Sequence, residues 1–255
     1  MNVVVLSKFI PNPTGTPELG DDFLVKREGV EGGLDPGDEY AVEAALQIAE
    51  KAGGEVTVVS MGPEPAMGAV RKALSLGCAK GVLVTDDTLR GSDVLVTARI
   101  LAKAIERAGF DLVLAGVEST DGSTGTLPMA LAELLGLPSL TFARKVDVAD
   151  GRVTIERQTE AGYDVVECPL PALVTVTAGA VEPRYPTLKG IMQAKQKPVD
   201  QPSLSDLGVS AEEAKPTQQV TGIEDAPERG AGEIVENESE GAARIAQFLQ
   251  EAKVI

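Results

Sequence analysis

The sequence predicts an α/β fold built on a doubly wound, mostly parallel sheet, extended by antiparallel hairpins and by a C-terminal extended arm that ends in a helix. Three observations carry this. Through the first half, apolar runs of strand length alternate with segments whose apolar residues recur at helical spacing. Those runs are apolar on both faces, the pattern of parallel strands covered on both sides. After Pro138 the rhythm changes to period two, and from Pro198 the core pattern stops.

"VVVL" at 3–6 is the first strand, and a polar loop runs from Pro11 to Asp22. "DEYAVEAALQIAEKAGG" at 38–54 reads as a helix with Asp38 as N-cap and the glycine pair as its stop. "EVTVVSMGP" at 55–63 is a strand closed by a Gly-Pro turn, and "EPAMGAVRKALSLG" at 64–77 is again helical. The strand "GVLVTD" (81–86), a helix over 92–109 capped by Ser92, and the strand "DLVLAG" (111–116) follow. A helix over 124–135 places Leu127, Leu131 and Leu134 on one face.

Residues 141–177 alternate around Asp150-Gly151 and Ala161-Gly162, as antiparallel hairpins do. "TLKGIMQAKQK" at 187–197 is a short exposed helix. From 198 to about 237 the chain is rich in Pro, Gly, Ser, Gln and acids and lacks a core pattern, so it reads as an extended arm. The last stretch, 239–255, sets Ala242, Ile245, Phe248, Leu249 and Ala252 at helical spacing. That stripe must be buried on this domain or on another chain. The expected division is an α/β domain over 1–197, with a recognition loop at about 182–197, and an arm with its helix over 198–255.

Composition narrows the function. The 255 residues carry 23 Lys plus Arg against 39 Asp plus Glu, a formal net charge of −16. Such a chain repels phosphodiester backbones and anionic membrane surfaces, so neither nucleic acid nor direct membrane insertion is expected. Hydrophobic content is 43% with only 3% aromatic, so Val, Leu, Ile and Ala must build the core. Histidine is absent, which removes the commonest general base and metal ligand. Cys78 and Cys168 are far apart and read as buried free thiols of a reducing cytoplasm, the expected location. The N-terminal apolar run is too short for a signal core or a membrane span. The acid pairs Asp21-Asp22 and Asp86-Asp87 have no third ligand in view and read as solvated.

The run at 116–126, "GVESTDGSTGT", lies between a parallel strand and a helix, where open α/β sheets collect ligands. Gly116, Gly122 and Gly125 let the backbone come close, and Ser119, Ser123 and Thr124 are short donors. Asp121 could accept from a ribose hydroxyl or cap the turn. These residues suit a phosphate at a helix N-terminus. The same types also build an ordinary N-cap loop, and the spacing is neither a Walker A nor a G-x-G-x-x-G motif. Leu188, flanked by Lys189, Gly190, Gln193 and Lys195, reads as an exposed apolar knob suited to an interface. Lys189, Lys195 and Lys197 form a basic cluster, either a solvated face or a steering patch for an acidic partner. Arg184 and Tyr185 read as a turn packed on the sheet.

The stretches from "DLVLAGVESTDGSTG" onward, then "EPRYPTLKGIMQAKQK" and "LSDLGV", resemble the β subunit of electron transfer flavoprotein, in matching order along the whole chain. The resemblance implies the adenine-nucleotide-binding type of sheet and an electron carrier rather than an enzyme. It implies a heterodimer with an α subunit that holds most of one FAD, donors among acyl-CoA or other flavin dehydrogenases, and a downstream quinone-linked oxidoreductase. It also implies an AMP on the β subunit, contacted by Leu6, by Asp35, Pro36, Gly37 and Asp38, by Met61, and by Gly116, Val117, Glu118, Ser119, Thr120, Asp121, Gly122, Ser123 and Thr124. Partner docking would fall to Glu182, Arg184, Tyr185, Leu188, Ile191 and Met192, with Leu188 as anchor. The short "DGSTG" turn resembles electron-bifurcating members, which carry a second FAD in place of AMP. "PNP" at 11–13 lacks the aromatic that some members set near the flavin. A stand-alone adenine-nucleotide-binding or stress-type protein is the alternative from another class, and it would need basic residues around the phosphates.

Overall fold

The computed structural model describes residues 1–11, 17–27, 29–224, 227, 232, 234–235 and 238–254. Asn12 and Pro13, and most of the arm between 225 and 237, fall outside the described residues. The chain forms two compact units, Met1–Thr221 and Gly222–Ile255. The first contains β1 (Asn2–Leu6), β2 (Phe9–Pro11), β3 (Gly32–Leu34), α1 (Pro36–Ala52), β4 (Glu55–Met61), α2 (Met67–Leu76), β5 (Lys80–Val84), α3 (Val94–Ala108) and β6 (Leu112–Gly116). It continues with α4 (Leu127–Leu135), β7 (Ser139–Ala149), β8 (Arg152–Thr159), β9 (Gly162–Pro169), β10 (Ala172–Val176), α5 (Leu188–Ala194) and β11 (Val199–Asp200). The second contains α6 (Glu238–Glu251).

A 9-stranded sheet runs in the order β11-β5-β4-β1-β6-β10-β7-β8-β9. From β11 to β7 every neighbouring pair is parallel, and β8 and β9 are antiparallel additions. Val3 and Val5 enter one apolar cluster with α1 and α2, while Val4 and Leu6 enter a second with α3 and α4. Both faces of the sheet are thus covered, as the unbroken apolar runs require. The chain winds outward from β1 through β4 to β5 and then returns to place β6 on the other side of β1. The carboxyl ends of β1 and β6 therefore flank a topological switch point, where such sheets bind ligands.

Several expectations change. Helix α1 begins two residues early: Asp35 is its N-cap, with Oδ1 accepting from the Gly37 amide at 2.8 Å, and Pro36 opens the first turn where a missing N–H is harmless. Asp93 rather than Ser92 caps α3, accepting from the amides of Leu95 and Val96, while the Ser92 hydroxyl donates to the Leu89 carbonyl. Helix α4 starts only at Leu127, after Gly125 takes a left-handed φ of 61°, and Leu134 points to solvent. Strand β10 is not part of a hairpin. All five of its residues are buried, and it inserts between β6 and β7, parallel to both. Two-sided burial explains "ALVTV" better than alternation does.

The stretch after 198 is also less bare than its composition suggests. β11 pairs with β5, and Leu204, Leu207 and Ala214 are buried in the second cluster. Asp93 Oδ2 accepts from the amide and hydroxyl of Thr217, both at 2.6 Å, so the first unit extends beyond Lys197. In the second unit, α6 leaves Ile245 and Phe248 exposed. Both cysteines are buried and free, and burial pushes the Cys78 thiol up to about 12. No helix among the described residues is long and apolar enough to cross a membrane.

Helix α5 lies close against α2. A Cβ on Gly190 would stand 2.5 Å from the Ser75 carbonyl oxygen. Gly190→Ala is expected to lift α5 and to cost about 1–3 kcal/mol, as overpacking does. Denaturant unfolding of the variant measures it, and an unchanged midpoint would show that α5 can shift freely.

Candidate functional site

The site is built from three segments that meet at the carboxyl ends of β1 and β6 and at the start of α1. Asp35 has no exposed surface. Besides capping α1, its Oδ2 accepts from the Thr120 amide at 2.7 Å and from the Thr120 hydroxyl at 3.0 Å. One carboxylate thus fastens the loop after β6 to the helix N-terminus. Asp38, one turn into α1, is also buried, and its Oδ2 accepts from the Lys8 amide at 2.8 Å. Gly116 is required here, because a Cβ would stand 2.9 Å from Asp38 Oδ1.

Burial, with the Asp35 charge beside it, pushes the Asp38 carboxyl up to about 8. Asp38 is therefore held largely as the neutral acid at neutral pH, in a place where two fully charged carboxylates would repel.

The loop carries its own acid inward. Asp121, its side chain nearly enclosed, pairs through Oδ1 with Lys8 Nζ at 2.7 Å and through Oδ2 with the Arg27 guanidinium. Burial alone would raise this carboxyl. Lys8 and Arg27 outweigh it and hold the group below the usual range. Lys8 Nζ also donates to Ser119 Oγ at 3.0 Å. The Ser119 carbonyl accepts from the amides of Gly122 and Ser123, at 3.3 and 2.8 Å, and Ser123 takes a left-handed φ of 45°. These amides, and that of Thr120, are spent inside the protein. Helix α4 beyond the loop begins without a side-chain cap on its first amides. The Ser7 hydroxyl, next to Lys8, is buried without a hydrogen-bond partner among the described residues.

The structure thus brings Asp35, Asp38, Gly116, Ser119, Thr120 and Asp121 into one bonded cluster, with Pro36 and Gly37 in the first turn of α1 above it. Leu6 is buried in the second cluster and Met61 packs against it, both at strand carboxyl ends. Val117, Glu118, Gly122, Ser123 and Thr124 complete the loop. Both Asp121 oxygens face cations, Oδ1 hydrogen-bonded to Lys8 and Oδ2 against Arg27 with no hydrogen bond of its own among the described residues. The sequence reading missed Lys8 and Arg27, since 116–126 holds no basic residue of its own. Lys8 could have been found by applying to β1 the strand-end rule applied to β6. Arg27 comes from a loop whose position no local pattern fixes. Of the acid pairs, Asp22 pairs with Arg90 and Asp86 caps the Thr88 amide, and no group of three or more His, Cys, Asp or Glu side chains with metal-like spacing occurs among the described residues.

A second surface lies at 182–197. Tyr185 is 90% exposed, Leu188 77%, Met192 65% and Ile191 45%, four large side chains close in sequence left in water. Glu182 is exposed beside them. Tyr185 does not pack on the sheet as expected. Arg184 does turn inward: its guanidinium binds buried Glu43 at 2.7 and 3.0 Å and Glu50 at 2.6 and 3.2 Å. Lys197 is no steering charge, because its Nζ donates to the carbonyls of Leu74 and Cys78 at the end of α2. Arg71 donates to the carbonyls of Ala194 and Lys197, 2.7 Å each. Lys189 and Lys195 remain exposed.

The model of the electron transfer flavoprotein domain matches residues 22–207. The chain is 44% identical to the electron transfer flavoprotein subunit beta of Mycobacterium bovis over 100% of this chain and 99% of that one. It is 37% identical to that of Bacillus subtilis over 91% of each, and 33% identical to that of Megasphaera elsdenii over 100% and 98%. The chain belongs to the electron transfer flavoprotein beta-subunit family. Matches that run from end to end favour this over a stand-alone nucleotide-binding protein.

The buried acid pair gives the site a pH signature. The folded-state pKa of Asp38 lies above its unfolded value near 3.9, so its contribution to stability is whole below about pH 4 and is lost as pH rises through about 8. Asp38→Asn is expected to remove that decline and leave stability flatter between pH 6 and 9. Urea midpoints across this range check it, and an unaltered slope would mean that Asp38 is already charged in the native state.

Proposed function

We propose that this chain is the β subunit of a heterodimeric electron transfer flavoprotein, accepting electrons from dehydrogenases through an FAD held mainly by an α subunit and passing them to a downstream acceptor. When bound, the flavin supplies the redox chemistry, and the protein supplies binding, orientation and exclusion of water. The observation that carries this reading is the loop after β6, set at the switch point and joined there by Lys8 and Arg27.

The donor set fits an adenine nucleotide. The uncapped start of α4, the exposed hydroxyls of Ser123 and Thr124 and the orphaned Ser7 hydroxyl are the groups a phosphate and a ribose would use. AMP is the nucleotide proposed, with a second FAD as the other occupant the family admits. The bound nucleotide would brace the loop against α1 rather than react. The exposed apolar face of α5 is the docking surface for donor dehydrogenases, with Leu188 as anchor and Arg184 as the bracket behind it. The exposed stripe of α6, around Ile245 and Phe248, supports packing of the C-terminal unit on the α subunit.

Two measurements test this. The chain is co-purified with its partner, denatured, and the released nucleotides are separated and quantified. One FAD and one AMP per complex is the expected result; two FAD would move the second flavin to this loop, and absence of flavin would overturn the carrier reading. Leu188→Ala is expected to leave the thermal midpoint unchanged and to weaken capture of a flavin dehydrogenase at least tenfold, as loss of an interface anchor does. Undiminished capture would place docking elsewhere.

A further inference from the structure

The charges around the loop after β6 limit how much negative charge a ligand can bring to it. Lys8 and Arg27 are the cations there, and the Asp121 carboxylate lies between them with 3% of its side chain exposed. Asp35 is buried beneath Thr120, and Glu118 belongs to the same loop, its Oε2 3.5 Å from where a Cβ on Gly125 would sit. Among the described residues, two cations thus stand among three carboxylates and the buried carboxyl of Asp38, on a chain with a net charge of −16. Near a half-buried site each such charge is felt at several ångströms, and salt screens it incompletely.

We propose that Asp121 is the specificity-determining residue of the nucleotide site: by engaging Lys8 and Arg27 it removes their surplus positive charge, so that the site admits nucleotides carrying about two negative charges and rejects those bearing a terminal di- or triphosphate. This rests on the reading that a nucleotide sits on this loop. The uncapped amides at the start of α4 and the exposed loop hydroxyls then do the recognising, since they bind one phosphate well and gain little from a second. The cations serve to keep the loop's own acid folded inward, and each further phosphate meets Asp35, Glu118 and Asp121 without a counter-charge of its own.

The test uses the complex of the full-length chain with its partner subunit, stripped of nucleotide by partial denaturation and refolded. It is titrated calorimetrically with AMP, ADP and ATP in metal-free buffer. Wild type is expected to weaken about tenfold with each added phosphate. Asp121→Asn should shrink the AMP-to-ATP ratio at least tenfold, Asp121→Glu should preserve it, and Lys8→Gln should widen it. A ratio unmoved in Asp121→Asn overturns the proposal. If that variant does not fold, an unmoved ratio in Lys8→Gln overturns it instead. Failure of wild type to bind any of the three would overturn the nucleotide reading itself, a separate outcome.

Discussion

Asp35 is fully enclosed, and a carboxylate can be kept there only if every lone pair it loses to water is met by a donor. The donors come from two places far apart in the chain, the first turn of α1 and Thr120 in the loop after β6. The enclosed anion therefore fixes the distance between them. Asp38 adds a second tie, drawing in the amide of Lys8 at the end of β1. The geometry of the candidate site follows from these two acids. The loop's turn, its inward-facing Asp121 and the approach of Lys8 are set once the loop is fastened to the helix.

The same helix reaches the other surface. Glu43 and Glu50, further along α1, grip Arg184, and Lys197 and Arg71 close the opposite end of the 182–197 segment on α2. Apolar side chains can stand in water on α5 because the polar groups around them are spent on holding the segment in place. The segment's basic residues divide accordingly: two are structural fasteners, and only Lys189 and Lys195 are free to meet a partner's charge.

Much of the fold was legible because its strands are apolar on both faces and its helices end in glycine. Where the reading slipped, neighbours in space outweighed neighbours in sequence. Asp38 looks like a cap but lies inside the helix, because Asp35 sits before a proline, caps the Gly37 amide and starts the helix one turn earlier. β10 follows three hairpin strands and so looks like a fourth, yet its place is decided by the gap between β6 and β7. Leu204 and Leu207 are too isolated to form a pattern, and only the finished sheet offers them a surface. At the site, the loop could be read from its glycines and hydroxyls, whereas Arg27 could not, since an ion pair across such a separation leaves no local trace.

The late arrival of β10 has a consequence for how the chain is made. β6 is synthesised with β1 available on one side only, and its other edge stays open while about fifty residues of helix and hairpin emerge. Until Ala172–Val176 leave the ribosome, an apolar strand edge faces the cell, and the hairpins β7–β9 have no sheet to join. A nascent chain halted in that interval is the form of this protein most exposed to aggregation and most in need of a chaperone.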